Sequence, residues 1–181
     1  RDTFYLDDRI YRNDGKGNFK RDFNALPSGK KAATACARAH DFDGDGFLDL
    51  FCGMRLAPNH YGQAVSGYLF KNDGKGGFDN VTPQYAPELK DFGMITDAIW
   101  ADLDGDKVAE LVVVGEYSPI SIFKKIGQKF ENQTVKNGLN GSNGWWNVVK
   151  AADLDGDGDL DLVLGNHGLN SRFQASPNAP V

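Results

Sequence analysis

Short apolar runs recur along the chain, each stopped by glycine: LFCG at 50–53, LVVVG at 111–115 and LVLG at 162–165. Each is preceded by a mixed run: AATACARAH at 32–40, ITDAIWA at 95–101 and WNVVKAA at 146–152. The first two are followed by YLFKND at 68–73 and SIFKKI at 121–126, then by a glycine-containing turn and a short segment at Phe78 or Phe130. Runs this short, rich in β-branched residues and bounded by glycine, predict strands rather than buried helices. NDGKG at 13–17 and at 72–76 is a hairpin signal, because Asn, Asp and Gly accept positive φ. The count is four strands per repeat, and helix-forming stretches are scarce among 22 glycines.

The repeat has a period. Acidic windows begin at Asp41, Asp102 and Asp153, 61 and 51 residues apart, and a marker phenylalanine (Phe19, Phe78, Phe130) precedes each by 22, 24 and 23 residues. Four-stranded units at such a period match the blades of a β-propeller. The expected fold is all-β, a propeller fragment of about three blade equivalents with antiparallel four-stranded blades. Residues 3–20 give the outer strands of a preceding blade, 30–80 and 92–132 two blades, 145–166 the inner strands of a further blade, and 167–181 a following loop. Closed propellers take about four to eight blades, so a parent chain or other copies are expected to supply the rest. The first copy is about nine residues longer than the second, which places a polar loop in MRLAPNHYGQAVSG at 54–67.

Charge changes the picture. Of 25 acidic residues, 13 fall in the three windows DFDGDGFLD, DLDGDKVAE and DLDGDGDLD; outside them 12 acids face 20 bases. The net charge of -5 and pI near 5.1 argue against a nucleic-acid partner. No apolar run approaches the roughly 20 residues of a membrane span. Four or five carboxylates within nine residues repel one another unless a cation neutralises them. Positions 1, 3, 5, 7 and 9 of each window are the expected metal ligands: Asp41, Asp43, Asp45, Phe47 and Asp49; Asp102, Asp104, Asp106, Val108 and Glu110; Asp153, Asp155, Asp157, Asp159 and Asp161. Position 7 would offer its backbone carbonyl. An all-oxygen donor set selects a hard cation, and a flexible loop suits Ca²⁺ over Mg²⁺. Two to three ions are expected, with weaker or altered binding at the second window, where Lys107 and Glu110 replace Gly and Asp. An EF-hand is rejected: position 12 of the loops is Cys52, Val113 or Leu164, and the flanks read as strands.

These windows resemble the calcium loops of FG-GAP/VCBS repeats, the propeller repeats also found in integrin α chains. VTPQYAPEL, GMITDAIWADLDGD, VVVGEYSPISIF, GWWN and GNHGLNSRFQASP are similar to the ASPIC/UnbV-type family of extracellular proteins. The resemblance implies calcium held between the first and second strands of each blade by the residues named above. Departures are Lys107 and the missing NDG at 124–127.

Calcium loops at one end of each blade put the other end near the axis, where propellers usually bind ligands. That end would carry Gly93 and Met94, Met54 and Arg55, Glu116 and Tyr117, Trp145 and Trp146, Asn166 and His167. Aromatic, amide and charged groups there suit a glycan or a protein ligand. Of the two adjacent tryptophans, at least one packs in the core. Cys36 and Cys52 could close a disulfide across a hairpin or stay as buried thiols. The expected function is a non-enzymatic, calcium-binding domain of a secreted, surface or periplasmic protein, for adhesion or ligand binding. A piece of a calcium-dependent glycan lyase, with Arg55, Glu116 and His167 in its cleft, and a pure scaffold are the alternatives.

Overall fold

The computed structural model describes residues 7–27 and 32–168. Among the described residues twelve strands follow one another, with one four-residue helix and one 3₁₀ turn. A first hairpin pairs β1 (Ile10–Asn13) with β2 (Phe19–Asp22). The strands β3 (Ala33–His40), β4 (Asp49–Leu56), β5 (Gly67–Asn72) and β6 (Phe78–Asn80) form an antiparallel blade in that order. The helix α1 (Thr82–Tyr85) leads to the second blade: β7 (Met94–Ala101), β8 (Glu110–Ser118), β9 (Ser121–Ile126) and β10 (Lys129–Asn132). A last hairpin joins β11 (Gly144–Ala152) to β12 (Asp161–Asn166). The result is a partial propeller of two full blades flanked by an outer and an inner hairpin. Expectations for residues before 7 and after 168 lie outside the described residues. Among the described residues, no helix is long and apolar enough to cross a membrane.

Alternation puts one face of each blade against the next. Cys36, Phe51, Leu69, Ile95, Ala98, Leu111, Val113 and Phe123 form the core between the two blades. Val112, Val114, Ile120, Ile122 and Val149 pack the second blade on the last hairpin. The approach is close enough that a Cβ on Gly53 would meet Ile95 Cγ2 at 2.4 Å. The seam is also polar. Asp97, only 4% exposed, accepts Arg38 of the first blade, and its other oxygen accepts Val149 N of the last hairpin at 3.1 Å. Arg38 Nε donates to Ala98 O at 2.7 Å. One buried carboxylate thus ties the two blades and the last hairpin.

Two expectations change, and a third point left open is decided. The segment 54–67 is not loop throughout: β4 runs on to Leu56, because Met54 is fully buried against Ala32, Val65 and Phe70. The second blade and last hairpin share a sheet, since β11 starts by pairing with the end of β8 (Gly144 with Ser118, Trp145 with Glu116). The cysteines take the buried-thiol alternative: Ala37, not Cys36, lies opposite Cys52, so the two side chains point to opposite faces.

Candidate metal loops and rim

The three acidic windows fold alike, each as the turn between the first two strands of its sheet. The carboxylate at position 9 accepts the amide of position 2 every time: Phe42 N to Asp49 at 3.2 Å, Leu103 N to Glu110 at 2.9 Å, Leu154 N to Asp161 at 3.0 Å. Position 1 accepts the amide of position 6: Gly46 to Asp41 and Lys107 to Asp102 at 2.8 Å, Gly158 to Asp153 at 3.0 Å. Position 6 has positive φ in all three (90°, 70° and 97°). Glycine takes that conformation freely, whereas Lys107 holds it against a steric cost of about 1–2 kcal/mol. Lys107 therefore preserves the turn that its side chain disfavours.

The closed loops bring carboxylates together. Asp41, Asp43 and Asp45 offer oxygens within 4.8 Å of one another; so do Asp102, Asp104 and Glu110, and Asp153, Asp155 and Asp161. The remaining expected ligands are placed otherwise. Asp49 is fully buried and both its oxygens accept amides, from Phe42 and from Asn72 at 2.8 Å; burial raises its carboxyl above the usual range. Asp106 and Asp157 accept the amides two residues on. Phe47, Val108 and Asp159 are exposed on the turn.

Two lysines from the third strands reach these clusters. Lys71 on β5 donates to Asp43 and Asp45, and Lys124 on β9 donates to Asp104 and Asp106 with Glu110 Oε1 at 3.1 Å. Their bonds hold Asp45 and Asp106 below the usual carboxylate range and push both ammonium groups up. No lysine is bonded to the third cluster among the described residues, and all three of its carboxylates are exposed.

The donor sets fit a hard cation. All are carboxylate oxygens. In the second loop Asp102 Oδ1 is buried without a hydrogen bond, while Glu110 Oε1 faces the Lys124 ammonium. A buried polar atom without a partner is costly, and a cation between Asp102 and Glu110 would satisfy it. A cleft of about 250 Å³ is lined by Asp104, Glu110 and Lys124.

At the far end of the strands, residues from both blades and the last hairpin meet. Arg55 Nε donates to Glu116 Oε1 at 2.6 Å, and Tyr61 Oη donates to Glu116 Oε2 at 2.5 Å. The Tyr117 ring lies 5.3 Å from Trp145, which lies 4.9 Å from His167. Tyr117 has φ 58°, rare for an aromatic residue. Of the residues expected at this rim, Arg55, Glu116, Tyr117, Trp145 and His167 are brought together. Met54 and Trp146 are not: Met54 is core, and Trp146 packs on the apolar seam with Nε1 bonded to Ser142 O at 3.0 Å. Met94 is buried, Gly93 pairs with Val65, and Asn166 caps its own turn through Gly168 N. Tyr61, on the inserted segment, carries no sequence signal for this position.

The family described as FG-GAP-like repeat matches residues 3–52, 41–113 and 102–164. No curated protein matches the chain.

Proposed function

The chain belongs to the FG-GAP-like repeat family, and from that premise we propose that it is a calcium-stabilised, non-enzymatic binding module of the ASPIC/UnbV type, working in an extracellular or periplasmic setting. The carrying observation is the second loop, where Asp102 Oδ1 is buried without a hydrogen bond and its carboxylate clusters with those of Asp104 and Glu110. Asp41, Asp43 and Asp45 would hold an ion in the first loop, and Asp153, Asp155 and Asp161 in the third. Bound calcium supplies charge neutralisation and a cross-link between the first two strands of a blade, and no chemistry beyond that.

The chain's own residues make each loop ready. The position 9 carboxylate closes it, positions 4 and 6 turn it, and in the first two loops the Lys71 and Lys124 ammonium groups offset part of the charge. At the rim, Glu116 is engaged by Arg55 and Tyr61 and its side chain is inaccessible. It therefore does not stand as the free base that a lyase needs, which favours binding over catalysis.

Calorimetric titration of chelator-treated protein tests the calcium reading. Saturable uptake of two to three Ca²⁺, with a rise in melting temperature as occupancy rises, is expected. No uptake at millimolar calcium, or an equal response to Mg²⁺, overturns it.

A further inference from the structure

We infer that the rim formed by Arg55, Tyr61, Glu116, Tyr117, Trp145 and His167 is a binding site for a carboxylate-bearing saccharide, a uronate-type oligosaccharide. The inference deepens the reading of the chain as a binding module and rests on it, but not on the calcium loops, which lie at the opposite ends of the strands.

Arg55 fixes the chemistry. Its Nε edge is taken by Glu116, while Nη1 and Nη2 make no hydrogen bond to described residues and the side chain is 42% exposed. A guanidinium held by one carboxylate along its Nε side presents its end-on pair of donors outward, and that pair matches a second carboxylate bidentately. Glu116 is wholly inaccessible and also accepts Tyr61, so it anchors the arginine and does not compete for the ligand.

The aromatic row supplies the surface. Tyr117, Trp145 and His167 follow one another at 5.3 and 4.9 Å, with rings tilted by 52° and 46°. Tyr61 Oη approaches Tyr117 Oη at 3.4 Å. Rings combining an apolar face and a polar edge suit a ligand made of sugar rings and hydroxyls. Tyr117 holds its place from a left-handed backbone, and such strain clusters at ligand sites. An extended acidic peptide fits less well. It would need unpaired backbone to dock along, and here Glu116 already pairs with Met94 on one side and Trp145 on the other.

The full chain, saturated with calcium, is titrated with galacturonate, glucuronate and mannuronate tetrasaccharides. Tryptophan fluorescence and calorimetry provide the readout; maltotetraose and tetraglutamate are the comparison ligands. At least one uronate is expected to bind saturably and at least tenfold more tightly than either comparison ligand. Arg55→Lys keeps a charge for Glu116 but removes the donor pair, and Trp145→Ala removes the central ring. Each should weaken binding at least tenfold with calcium uptake unchanged. Absence of binding by all three uronates overturns the proposal, as does equal affinity for maltotetraose or tetraglutamate, or unchanged affinity in Arg55→Lys. Loss of calcium uptake with saccharide binding intact would sink the calcium reading and leave this one standing.

Discussion

Replacing Asp97 by alanine removes the carboxylate that ties the two blades and the last hairpin, and the structure sets the size of the effect. Val149 N, on a fully buried residue, loses its acceptor, which costs about 1–3 kcal/mol. Arg38 loses its partner but is 34% exposed and reaches water. Its share falls between the surface and buried limits, at about 2 kcal/mol. Together Asp97→Ala should destabilise by about 3–5 kcal/mol, lowering the melting temperature by about 10 °C for a chain of this length. Asp97→Asn keeps an acceptor for Val149 and should cost about half as much. Urea denaturation at fixed calcium measures both, and a cycle with Arg38→Ala should give a coupling of about 1–2 kcal/mol. A cost below about 1 kcal/mol for Asp97→Ala, or strict additivity with Arg38→Ala, would refute the clasp.

Lys124→Met removes the positive charge beside Asp104 and Glu110. Calcium affinity at the second loop should rise by about fivefold or more, since a tethered cation repels a divalent ion at contact distance, while the calcium-free protein melts lower; unchanged or weaker affinity by calorimetry would count against it. Burial raises the Cys36 thiol from 9.0 to about 11. The folded chain then holds a proton that the unfolded chain loses between those values, so stability falls as pH rises from about 9 to 11, by about 3 kcal/mol at most. Cys36→Ala should flatten that part of the urea-midpoint profile relative to the parent, and identical profiles would reject the assignment.

Features set by neighbours in sequence were readable beforehand; those set by neighbours in space were not. The windows at Asp41, Asp102 and Asp153 announce their turns because alternate Asp and Gly dictate local hydrogen bonds, and the glycine-stopped runs announce strands. Lys71 and Lys124 gave no such sign. Each lies on the third strand, 28 and 20 residues from the first carboxylate it meets in space. Asp97 reads as an ordinary polar position on a strand until Arg38 and Val149 converge on it. Trp145 and Trp146 were legible as a pair, because adjacent strand residues face opposite sides; which of them packs on the seam was set by the neighbours that Trp146 meets. Tyr61 reached the rim through an insertion whose path no periodicity specifies.

The arrangement along each strand bears on how the loops and the rim influence each other. A first strand of eight or nine residues spans about 27 Å at about 3.3 Å per residue. The acidic turn is at one end and the rim at the other, and the Asp97 clasp lies between them on β7. An ion in a loop touches neither Arg55 nor Trp145, so it can act on the rim only by changing how the sheets pack. Asp97, Arg38 and the apolar seams already fix that packing without an ion. Calcium loss should therefore open the turns first and leave the rim assembled until the clasp yields. On the proposed reading a bound metal would set how long the rim survives rather than what it binds, and Arg55 and the aromatic row would set what it binds.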